Sequence, residues 1–220
     1  MKHPVSFLAG CVLAAGMFVS SADTQELRQI TLPPPQKTIG MPLMMALNAR
    51  QTIRQYSDRV LPMQELANLL WAADGVNRPD SSRTAPNSSD RQEIDLYAVL
   101  AEGVYRYDPF ANTLEPVVAG DHRGATATQE EFVNAPLNLL LVADLSKRDG
   151  TRASDTRQGK LITVSADAAC ISQNVYVYCA SQGLATVVRA GIPREDCAKA
   201  LGLDPERFYI ALAQTVGYPE

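Results

Sequence analysis

Histidine is nearly absent from this chain of 220 residues, which has two. One, His3, lies in an N-terminal segment that reads as removable, so His122 in "AGDHRG" stands alone. A Ser-His-Asp or Cys-His mechanism would rest on that single ring, with no nucleophile motif beside it. A histidine-rich metal site is excluded. Phosphate-loop and dinucleotide fingerprints are missing as well, which removes an ATP cradle and a Rossmann site. Positive charge is not in excess: 20 Lys and Arg against 24 Asp and Glu leave a net charge of −4. Broad nucleic-acid binding needs the opposite balance. Cysteine is scarce, and without Cys11 the remaining Cys170, Cys179 and Cys197 contain no Cys-x-x-Cys pair. That excludes a disulfide framework and argues against a metal or dithiol centre. Cys170 and Cys179 fall on one expected helix, where nine residues at about 1.5 Å separate them by about 13 Å, too far to bond. Either could reach Cys197. Acidic residues are plentiful, but their spacing marks no carboxylate pair.

What is present is ordinary in bulk: 46% hydrophobic and 20% charged residues suit one soluble domain. Residues 1–22 read as a secretory signal peptide. Lys2 and His3 precede an apolar run over 5–19, and Ser20 and Ala22 occupy the small-residue cleavage positions. The run is too short for a stable membrane span. "LAGC" offers a lipoprotein signal through Cys11, a weaker reading because the apolar core continues beyond the cysteine. Export to the periplasm follows as the expectation. Residues 23–40, with "LPPPQK", read as an extended arm, and 41–220 as the folded domain. Within it, helices are expected over 42–49, 62–74, 164–184 and 193–203. The third of these is apolar nearly all round and therefore central. A hairpin is expected from Ile94 to Tyr107, with further strands at 137–145, 185–191 and 207–219. The class is α+β: a single domain with a central mixed or antiparallel sheet flanked by helices.

Two stretches carry polar chemistry. In "NARQTIRQYSD", Arg50, Thr52 and Arg54 share one side of an extended segment. Arg presents a fixed fork of donors to phosphate and keeps its charge. With its own bases so scarce, an enzyme of this kind delegates chemistry to a cofactor, and a phosphate-bearing one suits this row. The second stretch, "APNSSDRQ", is a polar loop before a strand.

Together with "ISQNVYVYCASQGLATVVRAG" and "AQTVGYP", these segments resemble, in order, the FMN-dependent nitroreductase family. "LLWAADGVNR" and "EGVYRYDP" are similar to the branch that includes azoline dehydrogenases. The resemblance implies FMN as cofactor. It implies a phosphate grip by Arg50, Thr52 and Arg54, and a pyrimidine-facing loop of Pro86, Asn87, Ser88, Asp90 and Gln92. It also implies that the N–H groups of Ala190 and Gly191 face flavin N5 and O4. Asp90 stands where the family has Asn, and an ionised Asp accepts but cannot donate. Arg189 lies near the ring or faces solvent on this reading, and Gln173 and Asn174 contact cofactor, partner or their own backbone. The implied assembly is a homodimer with FMN at its interface. The implied activity is transfer of a hydride or electron pair through flavin N5 to a small organic acceptor, supplied by a small-molecule donor. A peptide-dehydrogenase oxidase and a flavin-binding protein without turnover are the alternatives. Many members of the family carry a further basic residue beyond the closing strand that also touches the phosphate; on this sequence, which reads to Glu220, the expectation is that the phosphate depends on Arg50 and Arg54 or that another basic residue substitutes.

Overall fold

The computed structural model describes residues 26–150 and 156–220, so the expected signal peptide, Cys11 and the first residues of the arm lie outside the described residues. Seven strands form one sheet: β1 (Ile30–Thr31), β2 (Ile94–Val99), β3 (Gly103–Asp108), β4 (Thr113–Ala119), β5 (Leu137–Asp144), β6 (Ala185–Arg189) and β7 (Phe208–Gly217). Their order is β1-β4-β3-β2-β5-β7-β6. Every pairing is antiparallel, which settles the mixed-or-antiparallel alternative.

Alternation along the strands divides the interior into two layers. Ile94, Leu96 and Ala98 of β2 and Leu137, Leu139 and Leu141 of β5 face one layer with Leu66, Leu69, Leu70, Val164 and Ile171. Tyr97, Val99, Leu140 and Val142 face the other, with Cys197 and Leu201. The first layer is roofed by α1 (Leu43–Ala49), α2 (Met63–Asp74) and α4 (Arg157–Gln182), and the second by α5 (Arg194–Ala200). A short α3 (Glu130–Val133) precedes β5. This division keeps the cysteines apart: Cys179 lies in the first layer, Cys197 in the second, and all three thiols are free.

The central helix starts seven residues before the expected 164, because Thr156 caps it by accepting from the Gly159 N–H at 3.1 Å. It ends at Gly183, whose φ of 70° is left-handed backbone that glycine adopts freely. The helix is less enclosed than its composition suggests. Val164, Asp167, Ile171, Val175 and Cys179 are buried, while Ile162 is 66% exposed and Gln173 is at the surface. Many of its apolar positions are Ala, which bury little area wherever they point. β4 was not legible in the sequence: it contains Pro116, and its middle is exposed. Pro is tolerated there because β1 covers only Thr113 and Leu114, leaving the rest of β4 as an edge.

Candidate functional site

Arg50 closes α1, its N–H bonding Ala46 O at 2.9 Å, and the chain then runs extended. Ile53 N–H donates to Thr186 O at 3.1 Å and Ser57 N–H to Tyr218 O at 2.9 Å, so the segment lies against the β6 end of the sheet. Arg50 and Thr52 meet at one side chain. The Arg50 guanidinium lies 5.5 Å from the centre of the Tyr176 ring, and Thr52 Oγ1 is 3.0 Å from the Tyr176 hydroxyl. Arg54 lines a neighbouring cleft of about 380 Å³ with Tyr56, Asp58, Glu130, Glu131 and Glu220. Among the described residues neither Arg50 nor Arg54 forms an ion pair.

At the far end of β6, Ala190 and Gly191 are exposed. Among the described residues their N–H groups donate to no main-chain acceptor, and the space where a Gly191 Cβ would sit is open to 4 Å. Arg189 corrects the expectation of a ring-facing or solvent-facing guanidinium. It is 8% exposed and bonds Thr126 O at 2.8 Å, Asn138 Oδ1 at 2.9 Å and Thr215 Oγ1 at 3.1 Å. It also stacks over Phe132 at 4.8 Å. Its side chain therefore braces the scaffold, and only its main chain is left for a ligand. Asn174 likewise turns inward to Ala73 O at 3.2 Å, while Gln173 stays exposed.

The loop after Pro86 is folded around Asn87. The Asn87 Oδ1 accepts from the N–H groups of Arg91 (2.7 Å) and Gln92 (2.9 Å), and its Nδ2 donates to Glu93 Oε2 at 2.9 Å. Ser88 N–H donates to Asp167 Oδ2 at 3.1 Å, and Ser88 O accepts from Arg148 at 2.6 Å. Ser89, Asp90 and Gln92 all hold positive φ, of 60°, 50° and 50°. Strain of that kind persists only where surroundings over-determine it, and it clusters at ligand sites. Asp90 is exposed and its carboxylate accepts from the Gln92 side-chain amide at 2.7 Å. Arg83, seven residues earlier, is buried against Asp74 at 2.5 Å.

Beneath this loop lies a pair of acids that spacing in the sequence did not mark. Glu93 and Asp167 come from β2's approach and from α4, are 0% and 7% exposed, and are bridged by Asn87 Nδ2. Burial first, and then the bond to Glu93's carboxyl, push Asp167 from 3.8 up to about 6. Unfolding releases that extra proton. The stabilisation is therefore complete below the usual carboxylate range and is lost as pH rises through about 6. Thermal melts of the wild type should fall across that window. Asp167→Asn, which still accepts from Ser88 N–H, should flatten this part of the profile, and an unaltered slope would refute the assignment.

Asp167 and Tyr176 are nine residues apart on α4, so they sit about 14 Å apart along its axis and half a turn round it. The pyrimidine-loop anchor and the Arg50–Thr52 anchor thus lie on opposite sides of one helix. Among the described residues no helix is long and apolar enough to cross a membrane, and no cluster of three or more His, Cys, Asp or Glu could hold a metal.

A family model described as the Nitroreductase family matches residues 47–218, a stretch that includes every site segment above. A crystal structure of a candidate nitroreductase from Ralstonia eutropha JMP134 is 38% identical. It aligns over 88% of this chain and 90% of its own, with a TM-score of 0.82. A candidate nitroreductase of Methanocaldococcus jannaschii is 26% identical over 148 residues, which is 63% of this chain and 73% of that protein. A candidate nitroreductase from Desulfovibrio desulfuricans, solved in complex with FMN, shares the fold at 19% identity and a TM-score of 0.57. That alignment covers 81% of this chain and 87% of the other.

Proposed function

This chain belongs to the nitroreductase family, and from that premise we propose that it is an exported FMN-dependent oxidoreductase acting on a small organic acceptor such as a nitroaromatic or a quinone. The observation that carries the reading is the β6 end of the sheet. Arg50, which forms no ion pair among the described residues, and exposed Thr52 lie along it, and the exposed N–H groups of Ala190 and Gly191 lie at its end. These residues fit FMN: a guanidinium and a hydroxyl for a phosphate, open main-chain donors for ring N5 and O4, and room beside Gly191. Arg54 adds a second guanidinium. Pro86, Asn87, Ser88, Asp90 and Gln92 form the loop for the pyrimidine end. FMN, when bound, supplies two-electron transfer between donor and acceptor. The chain's residues bind it, orient it and leave its ring open to substrate.

The opposed positions of Asp167 and Tyr176 favour a site built from two chains. A single flavin served by both anchors of one chain would have to bridge α4, whereas a homodimer sets the loop of one chain beside the phosphate segment of its partner. Leu43, Met44, Met45 and Leu47 of α1 and Ile162 of α4 are exposed and apolar, as a covered face would require. Light scattering of the FMN-loaded protein should report twice the chain mass, and a monomer retaining FMN would contradict the shared site. Export rests on the sequence of residues 1–22.

The direct test is the visible spectrum of purified protein, followed by reduction with NADH, NADPH and reduced quinone analogues. Anaerobic turnover with a nitroaromatic supports the reductase. Oxygen-coupled oxidation of a peptide ring would point instead to a dehydrogenase, and a yellow protein that no donor reduces would refute turnover.

Asp90 gives a further expected result. Reduction adds negative charge to the flavin ring, and a fixed carboxylate near the pyrimidine end disfavours it. Relief of about 1.4 kcal/mol corresponds to about 30 mV for two electrons. Asp90→Asn should therefore raise the midpoint potential of bound FMN by at least that order. A spectroelectrochemical titration showing no change, or a fall, would sink the assignment.

A further inference from the structure

Tyr176 plays no part in the sequence reading, yet it joins three elements. It sits on α4 at 7% exposure. Its hydroxyl is 3.1 Å from Val188 N–H of β6 and 3.0 Å from Thr52 Oγ1. Arg50 lies over its ring. The direction of this chain of hydrogen bonds follows from what each group can do. A backbone N–H only donates, so the Tyr176 oxygen accepts from Val188. The phenol has one proton of its own, and among the described residues Thr52 Oγ1 is the acceptor it has. Were Thr52 to donate instead, the phenol would accept twice, and its own proton would be buried without a partner, which is costly. Thr52 therefore accepts from Tyr176, and its own proton is turned outward, on a residue that is exposed.

We infer that Val188 N–H, Tyr176 and Thr52 form a directed hydrogen-bond relay that fixes Thr52 as an outward donor for the terminal phosphate of the cofactor, with Tyr176 as its positioning residue. The relay rests on the FMN reading above. Each bond in the series polarises the next, so Thr52 is a better donor than an isolated hydroxyl. A terminal phosphate is a pure acceptor there, while the hydroxyl of a flavin lacking phosphate brings a weaker one. The relay thus favours FMN over riboflavin. It also ties the phosphate segment to β6 two residues before Ala190, so the two ends of the site are held by one side chain.

The test compares binding of FMN and of riboflavin to flavin-free protein by fluorescence titration. Tyr176→Phe should weaken FMN about three- to tenfold and leave riboflavin unchanged. Thr52→Val should do the same, Thr52→Ser should retain wild-type affinity, and the double variant Thr52→Val/Tyr176→Phe should bind FMN no more weakly than Thr52→Val alone. Equal loss for both flavins in Tyr176→Phe would mean a packing role and overturn the relay. So would unchanged FMN binding, or additive losses in the double variant. If Tyr176→Phe fails to fold, the contrast between Thr52→Val and Thr52→Ser decides, since the relay requires the first to lose FMN and the second to keep it. A wild type that binds FMN no better than riboflavin would remove the phosphate reading itself, and the relay with it.

Discussion

Replacing Arg189 with alanine is expected to lower the free energy of unfolding by about 3–5 kcal/mol. The guanidinium joins β6 to the 123–126 turn through Thr126 O, to β5 through Asn138 and to β7 through Thr215. Hydrogen bonds from a charged donor contribute roughly 1.5–3 kcal/mol each, though not additively, and truncation also leaves a cavity against Phe132. In a chain of this size the melting temperature should fall by about 6–20 °C. Arg189→Lys should recover only part of this, because an ammonium cannot present the planar fork that reaches three acceptors. Urea unfolding of flavin-free protein measures it. A loss below about 1 kcal/mol for the alanine variant would show that the buried cluster does not hold β6.

Arg50→Ala is expected to weaken FMN binding by about one to two decades, the equivalent of roughly 1.5–3 kcal/mol for a charge-assisted bond. Arg54→Ala should cost less. Arg54 shares its cleft with Asp58, Glu130, Glu131 and Glu220, whose charges offset the attraction it offers a phosphate. Among the described residues Arg50 forms no ion pair, and its guanidinium lies over Tyr176 beside Thr52. Equilibrium titration with FMN at two salt concentrations separates the two. The Arg50 effect should shrink with added salt, as exposed charge pairs do. Unchanged affinity in both alanine variants would reject the phosphate assignment.

Much of the scaffold was legible in local pattern. The period of Leu66, Leu69, Leu70 and Ala73 marks α2. The continuous apolar run of β5 is a strand buried on both faces. The hairpin is there too, though its turn falls at Ala101–Glu102, one residue before the Glu102–Gly103 pair that glycine suggests, with Leu100 N–H donating to Gly103 O at 2.9 Å. What local pattern missed was short, interrupted or capped from outside the window. β1 has two residues, β4 carries a proline, and the cap at Thr156 lies before the apolar part of α4. The site was legible as segments: the Arg50–Arg54 row, the 86–92 loop and the end of β6 could each be named from residue types.

The sequence by itself determined the α+β class, the main elements, the family and the residue types offered to a phosphate, because periodicity, turn chemistry and donor inventory are local properties. Only the tertiary structure decided which of those residues remain available to a ligand. Arg189 and Arg50 are both arginines beside site segments. One is consumed by acceptors 26, 51 and 63 residues away in the chain, while the other forms no ion pair among the described residues and lies over the Tyr176 ring. Glu93 and Asp167 became a pair, Thr52 met the Tyr176 hydroxyl across 124 residues, and Cys179 and Cys197 were divided by the sheet. The physical reason is the same in each case. A pattern along the chain says which side of an element is apolar, but not which distant donor or acceptor packing brings against it, and hydrogen bonding is satisfied in space.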